Sequence, residues 1–341
     1  MQQSPTLLLT GATGLLGSHA LINLVKQGLQ VRALVRPDSQ YRERLSEIFN
    51  LYKLDSSLLN SQVEFFEGDM LDLAALEDAL IGIDSVIHCA ASVRNTDKTE
   101  MNNINIEGTS NLVNLCLDYS IKWFLHVSSV ATLGPNPEGL VDEDYFFKFN
   151  PRLSNYALSK YRAEQEVWRA IEEGLPAVII NPTYIIGASK SDTSSSAIFK
   201  YAKQGITFYT NGLGGYVDVS DVAEVISKLY QKRISGKRYI VSAENWETFD
   251  FLKSVSQAMH SNIPKRAYHD WMGIPASIFF GLRKLFTGKT ATFDRQVVRM
   301  AQSRNAYDNS RIVVETGIVF TPIRDSILAS AERMNRLLAE N

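Results

Sequence analysis

The sequence predicts an α/β fold: a doubly wound parallel sheet with a small, mostly helical lobe after it. Two observations carry this expectation. Short apolar runs alternate with helical stretches through residues 1–182, the pattern of strand–helix units in a parallel sheet. The first run leads through a glycine-rich turn into an amphipathic helix, and the alternation breaks into scattered pieces after Pro182. The expected division is a sheet domain over 1–182, rejoined by 213–242, with a lobe over 183–212 and 243–341. The lobe pieces read as too scattered for a core of their own. They are expected to lie over the carboxyl edge of the sheet, where ligands of such folds sit.

Residues 6–28 read TLLLTGATGLLGSHALINLVKQG. Residues 6–9 form an apolar strand, and the chain then turns sharply from Thr10 to Gly17. Leu15, Leu16, Ala20, Leu21, Leu24 and Val25 share one helical face, and Gly28 stands where a left-handed cap is common. Such a unit suits a dinucleotide pyrophosphate. Gly11 permits the tight turn, Gly14 lets backbone approach phosphate, and Gly17 lets the helix lie against the sheet. The helix N-terminus presents free N–H groups to the anion.

Further strands are expected at 30–36 (QVRALVR), 63–67 (VEFFE), 85–89 (SVIHC), 122–128 (KWFLHVS) and 177–181 (AVIIN). Helices are expected at 73–80, 100–119 and 154–174, with a polar, partly helical excursion over 37–60. Beyond Pro182 come a loop at 189–196, a short helix at 197–204 and a glycine-rich turn at 211–215. A helix at 222–230 and a strand at 239–242 precede a mostly helical tail. Arg36 ends the second strand about 25 residues after Gly11, where dinucleotide folds commonly place an acidic residue. Arginine there pairs with a 2′-phosphate, so NADP(H) is expected over NAD(H), while Asp38 keeps NAD(H) open. Ala90, Ala91 and Ser92 are small enough for a cofactor to pass close to backbone, and His88 is expected to pack within its strand.

The net charge of −2 gives no reason to expect nucleic acid. Cys89 and Cys116 build no disulfide framework, which fits a reducing compartment. The start MQQSPTLLL lacks the basic region of a signal peptide. No run approaches the ~18 apolar residues of a membrane span, so a cytoplasmic protein without an integral membrane segment is expected. The most apolar late stretch, 274–286 (IPASIFFGLRKLF), contains Arg283 and Lys284. It reads as lobe packing along with Trp271 and Met272, the alternative being a lid or a shallow membrane contact.

Tyr156 and Lys160 stand four apart in SNYALSKYRAEQEVW, hence on one helical face. A nearby ammonium favours the phenolate and brings a tyrosine down from about 10 toward working pH. Ser128 and Ser129 close the fifth strand. Strand ends of a parallel sheet open onto one edge, so the serine, the tyrosine and the glycine turn are expected to converge. No metal-ligand set is expected.

TGATGLLG, the Ser129…Tyr156-x-x-x-Lys160 constellation and YVDVSDVA (216–223) together resemble the extended short-chain dehydrogenase/reductase superfamily, whose fold is Rossmann-like. The resemblance runs from about Thr6 to Ser242 and more loosely to the C-terminus. It implies that Tyr156 is the general acid/base, that Lys160 lowers its pKa and holds the nicotinamide ribose, and that Ser129 hydrogen-bonds the reacting oxygen. The family's serine lies five residues before the glycine matched by Gly134, which selects Ser129 over Ser128. Implied cofactor contacts are Gly11, Thr13, Gly14, Leu15, Leu16, Gly17 and Arg36, then Asp69 and Met70 at the adenine. Ala90, Ala91 and Ser92 would line the cofactor, Pro182 and Thr183 would sit at the nicotinamide, and Asn105 matches a position that braces the central helix. Relatives pair through the helices matched by 102–119 and 156–173, which implies a homodimer.

Within that superfamily, 4,6-dehydratases have Asp-Glu beside the active-site hydroxyl, whereas Val130, Ala131 and Thr132 follow Ser129 here. Epimerases have an arginine that grips the substrate diphosphate where this chain has Gly214 and then Gly215. The glycine pair and NPTYIIG (181–187) resemble the dihydroflavonol 4-reductase and 3β-hydroxysteroid dehydrogenase branch. The expected activity is NADP(H)-dependent reduction of a carbonyl, or oxidation of the matching alcohol, on a small, fairly apolar molecule. An NAD-dependent nucleotide-sugar epimerase and a non-catalytic cofactor-binding sensor are the alternatives.

Overall fold

The computed structural model describes residues 6–37, 39–93, 97–136, 139–145, 153–190, 195–268 and 302–339. Asp38, Trp271, Met272, the stretch 274–286 and part of the loop at 189–196 lie outside the described residues.

Seven strands form the central sheet: β1 Leu7–Thr10, β2 Val31–Val35, β3 Val63–Glu67, β4 Ser85–His88, β5 Trp123–Val127, β6 Ala177–Pro182 and β7 Lys237–Val241. Their order is β7-β6-β5-β4-β1-β2-β3, and every pairing is parallel. Helices cover both faces, so the strands are apolar on both sides rather than alternating. Leu7, Leu9, Ala33, Leu125 and Ile180 face one layer, formed by the helices Leu15–Lys26, Tyr41–Leu51 and Val219–Lys232. Leu8, Leu34, Val86, Phe124 and Ile179 face the other, formed by Leu73–Leu80, Gly108–Asp118 and Asn155–Glu172. The helix Leu15–Lys26 packs directly against Val219–Lys232. The strand order reverses between β1 and β4, and the crevice at their carboxyl ends is where such sheets take ligands.

Three expectations change. The helix expected over 100–119 is broken into Lys98–Asn102, a π turn Asn103–Glu107 and Gly108–Asp118. The glycine-rich turn expected at 211–215 is largely a strand: Leu213–Asp218 pairs parallel to Tyr184–Ile186 and antiparallel to Glu244–Glu247. A Cβ on Gly215 would lie 2.5 Å from Thr183 Cγ2 and 2.9 Å from the Tyr307 ring. Glycine there serves a close approach within a strand, not a turn. The lobe also buries its own cluster, with Ile186, Phe199, Phe251, Val255, Ile327 and Met334 packed between Thr248–Ala258 and Ile323–Ala339. No described helix is long and apolar enough to cross a membrane.

Candidate active site

The glycine turn lies at the crevice between β1 and β4. Gly11 has φ +72°, and a Cβ there would stand 2.6 Å from the Ala90 nitrogen. A Cβ on Gly17 would stand 2.1 Å from the Gly11 carbonyl oxygen, so only glycine lets the helix close onto the turn. Gly14 differs: its Cβ would meet only the Gly11 oxygen, at 3.3 Å. Gly14 N-caps the helix Leu15–Lys26 with no side-chain cap and no acidic residue in the first turn. The first-turn N–H groups are therefore left for an anion. Leu16 is buried in the core and Leu15 half-buried, so at Thr13, Leu15 and Leu16 the backbone faces the turn. The residues present fit a dinucleotide pyrophosphate.

Beneath the turn, Thr10 Oγ1 lies 2.7 Å from His88 Nδ1, and His88 Nε2 lies 3.0 Å from Thr109 Oγ1. Burial, with the Lys160 ammonium second, pushes His88 down to about 3, so it packs neutral in its strand as expected. The Ala90 N–H donates to Thr10 Oγ1 at 3.3 Å. Asn105 lies in the π turn, a break that often marks a functional position. Its Oδ1 accepts from the Ser92 N–H at 2.7 Å, while its Nδ2 donates to the Ser92 carbonyl and to Ser159 Oγ, both at 2.9 Å. Asn105 is thus fully engaged as a brace between the loop after β4 and the helix Asn155–Glu172.

That helix starts at an N-cap, Ser154, whose Oγ accepts from the Ala157 N–H at 3.0 Å. Tyr156 in its first turn is half-buried, with the Ser129 hydroxyl close enough to offset part of the effect of burial on its phenol. Ser129 ends the segment after β5 and caps the 3-10 turn Val130–Thr132, with Oγ accepting from the Ala131 N–H at 3.2 Å. Ser128 points elsewhere: it is buried and donates to Glu164 Oε2 at 2.6 Å. The structure therefore brings Ser129 and Tyr156 together and sends Ser128 into the interior. Lys160 is 2% exposed, donates to the Val127 carbonyl at 2.8 Å and lies 3.5 Å from His126 Nε2. Burial pulls Lys160 from 10.5 down to about 8, while Glu164 and Cys89 oppose it. Burial, then the Lys160 charge, then His88, hold His126 well below its usual value.

The Tyr156 phenol departs from expectation. Burial raises it above 10, the hydrogen bond from Ser129 opposes, and Lys160 is not among the causes. The lysine ammonium itself donates to the Val127 carbonyl.

Arg36 is exposed after β2 and makes no ion pair with a described residue; its carbonyl accepts from Ser39 Oγ at 2.7 Å. Asp69 is half-buried after β3, with Oδ1 accepting from the Leu71 N–H at 3.0 Å. Met70 is buried in the core, where a Cβ on Gly108 would come within 3.0 Å of its Cβ. Ala90, Ala91 and Ser92 are half-buried at the end of β4. Pro182 ends β6, and the Thr183 N–H donates to the Val241 carbonyl at 3.0 Å. The sequence reading missed Glu164, Asn181 and Arg238, which meet behind Ser129. Among the described residues no cluster could hold a metal ion.

A doubly wound parallel sheet with a glycine-turn helix at its switch point defines a dinucleotide-dependent enzyme of Rossmann type. Residues 7–242 match the NAD dependent epimerase/dehydratase family, and the chain belongs to it. It is an extended short-chain dehydrogenase/reductase, an NAD(P)-dependent oxidoreductase. The chain is 28% identical over 332 residues to "Sterol demethylase protein B" of Methylococcus capsulatus, covering 94% of this chain and 95% of that protein. It is 29% identical over 260 residues to "Cinnamoyl-CoA reductase 1" of Petunia hybrida, covering 73% and 75%. The crystal structure of gox2253 has a TM-score of 0.79 at 28% identity, over 98% of this chain and 99% of that one.

Proposed function

We propose that this chain is an NADP(H)-dependent reductase of a carbonyl on a small, fairly apolar molecule, working through Ser129, Tyr156 and Lys160. The observation that carries the reading is the convergence of Ser129 and Tyr156 at the sheet edge, with Lys160 one turn further along the same helix. The nicotinamide, when bound, supplies or accepts the hydride. Tyr156, protonated at neutral pH, gives its proton to the substrate oxygen. The Ser129 hydroxyl holds that oxygen as negative charge develops. Lys160, whose ammonium rests on the Val127 carbonyl one helical turn from Tyr156, would serve the ribose of a bound cofactor. The exposed Arg36, which makes no ion pair with a described residue, favours a 2′-phosphate and hence NADP(H). Similarity to proteins named cinnamoyl-CoA reductase and dihydroflavonol 4-reductase supports a reductase. So does a clamp position occupied by Gly214 rather than arginine. The lobe over 183–212 and 243–341 would select the substrate. The helices Gly108–Asp118 and Asn155–Glu172 would pair in a homodimer, which light scattering tests.

The test is Tyr156→Phe, assayed by NADPH consumption with a panel of aldehydes, flavanones and keto-steroids. The expected outcome is a kcat lower by about 10²–10⁴-fold with NADPH affinity unchanged. Wild-type turnover in that variant would overturn the reading. An epimerase would instead retain NAD through purification and show no net nicotinamide change. A sensor would bind NADPH and turn over no member of the panel.

A further inference from the structure

Glu164 lies one turn beyond Lys160 and two beyond Tyr156 on their helix, and it is 1% exposed. Every hydrogen-bonding neighbour of its carboxylate is a donor. Oε2 accepts from Ser128 Oγ at 2.6 Å, Thr132 Oγ1 at 2.9 Å and Asn181 Nδ2 at 2.9 Å. Oε1 accepts from Trp168 Nε1 and Arg238 Nη1, both at 3.3 Å. A buried carboxylate is costly unless such partners are complete. Two of the partners also reach Ser129. Asn181 Nδ2 has a second proton for the Ser129 carbonyl oxygen, 3.1 Å away, while the single Thr132 hydroxyl proton is shared between Glu164 Oε2 and that carbonyl, each at 2.9 Å.

We propose that Glu164 is the positioning residue that fixes Ser129 against Tyr156 and Lys160, by locking Ser128, Thr132 and Asn181 onto the helix that carries the pair. The proposal rests on the catalytic reading of Ser129 given above. The helix is tied to the segment after β5 at two successive points, Lys160 to the Val127 carbonyl and Glu164 to the Ser128 hydroxyl. These ties fix both the depth and the rotation of the helix relative to Ser129. The other groups around them are Arg238 of β7, facing Glu164, and His126 of β5 and Cys89 after β4, facing Lys160.

The donor set calls for a carboxylate. Glutamine has one acceptor oxygen and one donor nitrogen. With its –NH2 toward Trp168 and Arg238 donor meets donor; with it toward the other three it opposes the Asn181 amide nitrogen and displaces the protons that Ser128 and Thr132 give to Oε2. Aspartate keeps the charge but is a methylene too short to reach both sets.

In Glu164→Gln, kcat for NADPH-dependent reduction of the best panel substrate is expected to fall about ten- to a hundredfold, because displacing a reacting group by an ångström costs rates of that order. KM and the NADPH dissociation constant, read by nicotinamide fluorescence, stay within about threefold of wild type. In a Ser129→Ala background the same substitution lowers kcat less than about threefold, because the group it positions is gone. Thr132→Val keeps shape and removes one link, and should give the same kcat-only loss even where Glu164→Gln fails to fold. Wild-type kcat in a folded Glu164→Gln, or an equal loss in both backgrounds, would overturn the proposal. A Ser129→Ala enzyme with wild-type turnover would instead overturn the catalytic reading of Ser129 itself.

Discussion

Lys160 is the most heavily burdened charge of the site, and replacing it should stabilise the protein while destroying its activity. Burial takes its ammonium from 10.5 to about 8. At about 1.36 kcal/mol for each tenfold change, this is a penalty of about 3 kcal/mol on the charged form. The penalty is complete below about pH 8, where folded and unfolded lysine both hold their proton. Between about pH 8 and 10.5 the unfolded chain holds more protons than the folded one, so wild-type stability rises with pH there. Lys160→Met keeps the stem and removes the charge. It also strips the Val127 carbonyl of its 2.8 Å donor, an offset of about 1 kcal/mol. The variant should therefore be about 2 kcal/mol more stable than wild type at neutral pH. That advantage should vanish and slightly reverse as pH reaches 10.5. Urea unfolding followed by tryptophan fluorescence, on both proteins at each pH, measures the difference directly. A variant less stable than wild type at neutral pH, or a difference unchanged across the window, would refute the reasoning.

Two further substitutions probe the cofactor side. Arg36→Ala should weaken NADPH about tenfold, the loss of one charge-assisted phosphate contact, and leave NADH unchanged in fluorescence titrations; equal NADPH affinities before and after would remove Arg36 from the site. Asn105→Ala leaves both backbone groups of Ser92 without the partner seen here. It should lower stability by about 2–3 kcal/mol in urea unfolding and weaken NADPH binding as well, and unchanged values for both would dismiss the brace.

The central sheet was legible because its strands are short apolar runs bounded by Gly, Pro or polar turns, and VEFFE at 63–67 matches β3 residue for residue. The glycine turn, and the standing of Tyr156 and Lys160 one turn apart on a single helix, were legible because spacing alone sets them. The π turn at Asn103–Glu107 was not, because one extra residue barely disturbs an apolar period. The strand Leu213–Asp218 hid behind Gly214 and Gly215, since the crowding by Thr183, Ser242 and Tyr307 that requires Gly215 comes from distant segments. Its partner ENWE at Glu244–Glu247 is too polar to read as a strand. Glu164 stands in AEQEVW like any solvated helical charge. Only the folded chain brings Ser128, Asn181 and Arg238 onto it. The direction of the Tyr156 shift escaped for the same reason, because burial, which only the folded chain sets, raises it.

The contact between the glycine-turn helix and Val219–Lys232 has a consequence for biosynthesis. The first helix leaves the ribosome early, and its partner follows about two hundred residues later, which at about 5–20 residues per second is on the order of 10–40 s. During that time one flank of the helix that presents the pyrophosphate turn has no native cover. A nascent chain stopped before Val219 contains every residue of the glycine motif, yet the face that its first helix turns to Val219–Lys232 is uncovered. Weak nucleotide binding is therefore expected of a chain cut before Val219, which nicotinamide fluorescence would read.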